Sequence, residues 1–441
     1  MLDAIILKDF KSHHDSLLPL APLTVLIGAN ASGKSNAIEG LRILSWLARG
    51  KTLNEIAVSA SMPGRVVRGQ MTDIMRYQSP SFSLGCQMTL PENNDLLLTV
   101  TCRNKTLHLS EETLRILNEK IPLYTVKRPS TGESMDVDVA YNNFKCGHRK
   151  PLVTCTDQRA IFTQLTSPAT FNGCKKTAAR IPQIAQKYIR SLSNIFFLDP
   201  VPSEMRDYTF PSDNRLQDNG ANLSGILFSL LCAEETNEDV RIFNRQDVLE
   251  FIQSLPEQNI SEISFLEEPR GAKMVQLTET FGGVNREYDA SLLSDGTLRV
   301  LAVAAAMLSA PSGSLIVLEE LDNGIHPSRM RTLLEKIQTV AERRNLKVLL
   351  SAHNPAMLDA LPPNAIGDTV FCYRAPDDGS SRMVRLCDVE NIPELIAQGT
   401  LGYLSTTGAI DRFIKNPVSS EQRKQTALDW LAALRQEGSA S

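Results

Sequence analysis

The chain has no C-x-x-C pair among its eight cysteines, no apolar run approaching about 20 residues, and no strong charge imbalance. Each absence removes a class of function. Scattered thiols give no zinc ribbon or dithiol redox motif of the usual spacing. Without a long apolar stretch, no membrane partner is expected. A formal net charge of −4 provides no global attraction to nucleic acid or an anionic surface, so such a contact needs a local patch. The opening "MLDAIILKDF" lacks the layout of a secretory signal, and a cytoplasmic, reduced protein is expected. Nor does any stretch sustain a heptad pattern over about four heptads, which removes long coiled-coil arms. What remains, 42% hydrophobic and 22% charged among 441 residues, is ordinary globular composition with room for two or three packed lobes.

Against that background one stretch stands out, "VLIGANASGKSN" from Val25 to Asn36. Four residues separate Gly28 from Gly33, and Lys34 and Ser35 follow, matching G-x-x-x-x-G-K-[ST] in full. Glycines let successive backbone N–H groups point inward at phosphate oxygens, Lys34 supplies a point charge, and the Ser35 hydroxyl can ligate Mg²⁺. The flanks agree. "LTVLIG" reads as a buried strand, and "SNAIEGLRILSWLARG" places Ile38, Leu41 and Leu44 near helical spacing.

Three further stretches carry chemistry. In "GSLIVLEELDNGIHPSRM" the apolar strand Leu315 to Leu318 ends in Glu319 and Glu320, a placement that suits metal binding and water activation and also a polar strand end meeting solvent. "LKVLLSAHNPAML" ends a second buried strand near His353, which can hydrogen-bond a phosphate or serve structure alone. In "SLLSDGTLRVLAVAAAML", Ser294, Asp295, Gly296 and Thr297 precede a long apolar helix; this is an N-cap, and the same geometry is an anion site.

Taken in order, these elements resemble the ABC-type ATPases of the RecF, SMC and OLD kind. "GANASGKSN", including Asn36, looks like the Walker A; "LLSDGTLR" looks like the signature motif; "LIVLEELDNGIHP" resembles the Walker B and D-loop; "LLSAHNP" resembles the histidine switch. The opening "IILKDFKSHHDSLLPLAPLTVLIG" is similar to the group's amino-terminal hairpin, and "NIFFLDPVPSEMR" and "NRLQDNGANLSGILFSLL" look like the middle of single-chain ATPases from bacterial anti-phage systems. The resemblance implies ATP at Gly28, Asn30, Ser32, Gly33, Lys34, Ser35 and Asn36, Mg²⁺ at Ser35, Glu319 and a glutamine loop, Glu320 as general base, and His353 on the γ-phosphate. Gln70, Gln78 and Gln87 are the candidates for that glutamine, and Gln87 is chosen because it lies on an expected strand. Ser294, Asp295 and Gly296 would serve the nucleotide of a second subunit, with Asp322 in the D-loop, so ATP would drive a head-to-head homodimer. Glu319 stands where aspartate is usual, and Asp295 where many relatives carry glycine, which implies slow turnover.

The expected fold class is α/β: an ABC-type P-loop head with an antiparallel β first lobe, a mixed or parallel sheet core, a helical insertion and no long coiled coil. The boundaries expected are 1–115 for the first lobe, 116–275 for the insertion and helical middle, 276–375 for the second lobe, and 376–441 for a closing hairpin and helix, the last with Ala427, Trp430, Leu431 and Leu434 on one face. Within the insertion, Cys146, His148, Cys155 and Cys174 are zinc-type ligands at an unfamiliar spacing, set against dispersed thiols. Lys175, Lys176, Arg180, Lys187 and Arg190 lie on a segment that could touch phosphate backbones or be a solvated helix face. Relatives of the OLD kind carry a fused nuclease with an Asp-x-Asp; none follows His353, and Asp136 and Asp138 in "DVDVA" fit an exposed strand face. The expectation is an ATP-hydrolysing dimeric sensor or scaffold that controls a separately encoded effector, such as a nuclease, in anti-phage defence. The alternative is a RecF-like repair ATPase that binds DNA.

Overall fold

The computed structural model describes residues 1–59, 66–89, 92–130, 134–145, 150–171, 174–211, 215–232, 238–253, 259–322, 325, 327–352 and 354–415. An antiparallel hairpin, β1 (Leu2–Phe10) and β2 (His13–Pro19), leads into β3 (Leu23–Ile27) and α1 (Lys34–Ala48). After α2 (Leu53–Ser59) comes a meander of β4 (Ser81–Met88), β5 (Asn94–Arg103), β6 (Thr106–Ile116), β7 (Tyr124–Arg128), β8 (Asp136–Tyr141) and β9 (Leu152–Thr156). The chain continues through α3 (Ile161–Gln164), α4 (Lys175–Ser193), β10 (Phe196–Leu198), α5 (Leu223–Cys232) and α6 (Glu238–Ile252). A small sheet of β11 (Ile260–Glu267), β12 (Lys273–Phe281) and β13 (Val284–Asp289) precedes α7 (Asp295–Ser309), β14 (Leu315–Leu318), α8 (Pro327–Arg344), β15 (Lys347–Ser351), β16 (Val370–Arg374) and β17 (Ser381–Arg385).

The main sheet runs β10-β14-β15-β3-β16-β17-β2-β1-β4-β5-β6-β7-β8-β9. Its first five strands are parallel, and from β1 through β9 every neighbour is antiparallel. The class is α/β, with an antiparallel lobe joined to a parallel core. All five residues of β3 and of β15 are buried, as strands covered on both faces require. Strand alternation divides them between two cores: Leu23, Val25 and Ile27 pack with α5 to α8, and Leu26 packs with α1, α4 and the meander. α7 is apolar almost all round and is buried from Gly296 to Leu308 save for partly exposed Arg299, a position at the centre of the fold rather than on its surface.

The middle region departs from the expected helical insertion. β7 to β9 extend the first-lobe meander to Thr156, well past residue 115, because Val137 and Val139 turn into the core while Asp136 faces water and Asp138 pairs with Arg128 at 3.5 Å. Helices follow only from Ile161. Among the described residues no helix exceeds the 19 residues of α4, and none is long and apolar enough to cross a membrane. The expected helix carrying Trp430 lies outside the described residues.

Candidate functional site

Five parallel strands end on one edge of the sheet, the edge where ligands of open α/β sheets bind. Asp199 follows β10, Glu319 and Glu320 follow β14, the P-loop follows β3, and Arg374 closes β16. One strand, β15, separates the P-loop strand from the acidic strand, a spacing of about 10 Å at two strand widths.

The P-loop is built as a cradle that only glycine permits. Gly28 and Gly33 hold φ of 147° and 115°; a Cβ at Gly28 would stand 2.0 Å from the Cys372 carbonyl oxygen, and one at Gly33 would stand 2.3 Å from Ser381 Oγ. Gly33 then opens α1, whose first turn carries no acidic residue to repel an anion. Lys34 is 3% exposed, and its Nζ donates to the Gly28 and Ala29 carbonyls at 2.6 and 3.2 Å. Burial lowers its pKa, a cost that a bound phosphate would offset. Ser32 Oγ is buried without a hydrogen-bond partner among the described residues. A glycine-lined turn, an inward lysine and an orphaned hydroxyl fit a polyphosphate.

Elements distant in sequence brace this loop. His13, at the tip of the opening hairpin, is fully buried and donates through Nε2 to the Gly33 carbonyl at 3.0 Å, with Nδ1 2.9 Å from Ser16 Oγ. Asn36 Nδ2 donates to Ser12 Oγ at 2.7 Å, and Ser381 Oγ of β17 reaches the same hydroxyl at 2.7 Å. Lys11, Lys34, Arg68 and Arg374 border a cleft of about 570 Å³ over the P-loop. Lys11 and Arg68 both pair with Glu39, which is buried one turn along α1 from Ser35. Asn30 is exposed at the top of the loop.

A second cleft, of about 420 Å³, shares Ser35 and holds the acids Asp199, Asp218, Glu319 and Glu320 around Arg42. Arg42 Nη2 donates to Glu319 Oε1 at 2.7 Å, Nη1 lies 3.9 Å from Asp218, and the guanidinium sits 4.3 Å from the Phe197 ring centre. Partial burial raises the pKa of Asp199, with the Glu319 and Glu320 carboxylates adding to it; burial likewise raises Asp218, against the pull of Arg42. Glu320 holds φ of 53°, a left-handed conformation that costs a non-glycine residue about 1 kcal/mol and is typical of functional turns. Among the described residues no three His, Cys, Asp or Glu converge tightly enough to hold a metal alone. Ser35 with Glu319 suits Mg²⁺, which binds through one or two protein oxygens, waters and phosphates.

Not every expected residue reaches the clefts. Gln87 is paired with Ala4 in the β1–β4 ladder, at the opposite end of β1 from the P-loop hairpin and about 20 Å away along the strand. Its position on a strand was read correctly, but antiparallel register puts it at the wrong edge; Gln70, which follows the cleft residues Arg68 and Gly69, is nearer. Ser294 caps α7, accepting from Thr297 N at 3.1 Å, and with Asp295 and Gly296 borders neither cleft. Asp322 Oδ2 accepts from Asn354 N at 2.8 Å, joining the turn after β14 to the segment that follows β15. His353, Cys146 and His148 lie outside the described residues. Burial pushes the Cys155 thiol up to about 12, and Cys174 donates to the Asn143 carbonyl at 3.1 Å. On α4, Arg180 is committed to Glu92 and Glu119 at 2.5 and 2.6 Å, which removes one of the five cations from that face.

The sequence matches the family described as "AAA domain, putative AbiEii toxin, Type IV TA system" over residues 23–83 and 146–359, more than half of the chain. The chain belongs to this AAA-domain family. No curated protein matches the sequence significantly. Among solved structures, this AAA-domain protein is similar to the Smc head bound to the C-winged helix domain of ScpA, at 12% identity and TM-score 0.46 over 87% of this chain and 97% of that one. A Smc head with an extended coiled coil bound to the C-terminal domain of ScpA, from Pyrococcus furiosus, has 11% identity and TM-score 0.46 over 90% and 99%. The SMC head domain from Thermotoga maritima has 12% identity and TM-score 0.42 over 87% and 98%. The fold assignment rests on the strand order above.

Proposed function

We propose that this AAA-domain protein binds ATP with Mg²⁺ and hydrolyses it slowly as a homodimer, each P-loop cleft completed by the signature segment Ser294–Gly296 of a second copy. The observation that carries this reading is the shared sheet edge. A cradle only glycine permits stands one strand away from paired carboxylates, with Ser35 bordering both clefts. Lys34 and the loop amides bind phosphate oxygens, and Glu320 accepts the proton of the attacking water. Mg²⁺ held by Ser35 and Glu319 supplies charge neutralisation on the transferred phosphoryl group. His353 contacts the γ-phosphate in this reading. Because Ser294 and Gly296 border neither cleft of their own chain and the Ser294 side is exposed, a second copy is the natural recipient.

The family's description names a toxin of a toxin–antitoxin system, which favours a defence role, here the ATP-dependent holding of a separately encoded effector. To test this, Glu320→Gln protein is purified from cells carrying its native flanking genes, with and without ATP. A neighbouring gene product retained at a fixed ratio only with ATP is the expected result. DNA retained alone would replace the effector reading with the repair-type one.

A further inference from the structure

Between the acidic cleft and α7 runs one short segment, Asp199 to Arg206, which touches both. At its start, Asp199 borders the cleft beside Glu319 and Glu320, and its N–H donates to the Asp218 carbonyl at 2.9 Å. The Val201 N–H is fixed to the Asn219 carbonyl at 2.9 Å, Pro202–Glu204 form a 3-10 turn, and Met205 is fully buried. Just beyond, Thr209 exchanges hydrogen bonds of 2.9 and 2.8 Å with Lys273 of β12. The segment is thus hydrogen-bonded to its neighbours at both ends.

Arg206, at its far end, holds the loop that leads into α7. Nη1 donates to the carbonyls of Ser291 and Leu293 at 2.9 and 2.8 Å, with the Ala290 carbonyl at 3.4 Å, and Nη2 donates to Asp295 Oδ1 at 2.6 Å. The planar fork places the loop carbonyls on Nη1 and the carboxylate on Nη2, two separated nitrogens where a lysine would offer one. A second tie lies farther along the same helix, where Arg299 Nη1 donates to the Pro200 carbonyl at 3.3 Å. Asp295 is otherwise exposed to solvent, 63% of its side chain being accessible, and adjoins Ser294 and Gly296.

We propose that Arg206 is a positioning residue for ATP turnover, cancelling the charge of Asp295 and fixing the Ala290–Asp295 loop so that a partner's polyphosphate can approach Ser294 and Gly296. This rests on the reading of a two-chain site given above. Without Arg206, a bare carboxylate stands where a highly negative ligand must dock, and like charges brought together oppose binding. Through Asp199, the same segment joins that loop to the chain's own acidic cleft.

The test compares full-length parent, Arg206→Ala, Arg206→Lys and the double variant Arg206→Ala with Asp295→Gly. Hydrogen exchange of the 290–298 amides in nucleotide-free protein is expected to speed up about tenfold in Arg206→Ala; unchanged protection would overturn the proposal whether or not the protein hydrolyses ATP. Turnover in Arg206→Ala should fall about tenfold with ATP affinity of the separate chain within about twofold of parent, and Arg206→Lys should recover it only in part. Adding Asp295→Gly should raise turnover above that of Arg206→Ala; no gain would show that the carboxylate is not what Arg206 restrains. Mixing Arg206→Ala with Lys34→Ala gives the sharpest result. A dimer of one chain of each kind holds one intact composite site, closed by the single ATP on the Arg206→Ala chain, and the rate should exceed the sum of the separate rates. A mixture no faster than that sum would place Arg206 within its own chain's site. A parent protein inert toward ATP would sink the proposed function while the exchange measurement still judged Arg206.

Discussion

The Arg42 guanidinium donates to Glu319 Oε1 at 2.7 Å, tying the first acid after β14 to the helix that begins at the P-loop. Arg42 lies seven residues after Ser35, two turns along one helix face, so hydroxyl and guanidinium border the same cleft. Arg42→Gln leaves Asp199, Asp218, Glu319 and Glu320 without this cation. It is expected to cost about 1–3 kcal/mol in urea unfolding, and added Mg²⁺ should narrow the difference by taking the vacated charge position. Equal stability and an equal Mg²⁺ response in the two proteins would contradict the pairing.

Gly33→Ala should be among the most damaging single-methyl changes in the chain. The new Cβ would stand 2.3 Å from Ser381 Oγ and 2.7 Å from Ser381 Cβ, at a φ of 115° that alanine rarely adopts, and Ser381 is fully buried. Strain and overpacking together predict a loss of about 2–5 kcal/mol and of nucleotide binding. Thermal unfolding with and without ATP measures both; a variant that still gains stability from ATP as the parent does would show that the loop is not the binding element.

His13 gives the P-loop brace a pH dependence. Burial lowers its pKa to about 4, partly opposed by the bond to the Gly33 carbonyl, whereas in the unfolded chain it titrates near 6.5. The folded value is the depressed one, so this group's stability is fully present above pH 6.5 and is lost as pH falls toward 4, by up to about 3 kcal/mol. His13→Gln should flatten the stability profile across that window. Its urea midpoints from pH 7 to pH 4 decide the matter, and an unaltered slope would assign acid sensitivity elsewhere.

The parts of the site that were legible in sequence are those built from consecutive residues. The P-loop, the Glu319–Glu320 pair and the Ser294 cap each combine a strand or helix pattern with its own terminal chemistry, and each occupies the expected element end. Residues supplied by tertiary contact were not legible. Arg42 and Glu39 share helical spacing with Ser35, a signal that was available, but nothing local marks Arg68, Asp199 or Arg374 as members of the same two clefts. Gln87 shows the limit from the other side: alternation places it on a strand, and only the pairing of Ala4 with Gln87 reveals which edge it occupies. The meander through β9 was missed for a similar reason, since its strands are short and separated by turns of uneven length.

The central claim is a P-loop cleft completed by a second copy of the chain. Its most direct test is the mass of Glu320→Gln protein by analytical ultracentrifugation, with ATP and Mg²⁺, with ADP, and after adding Lys34→Ala to the same chain. A dimer formed with ATP alone, absent with ADP and abolished by Lys34→Ala, is the predicted result. Protein that binds ATP tightly yet sediments as a monomer at every concentration would contradict it.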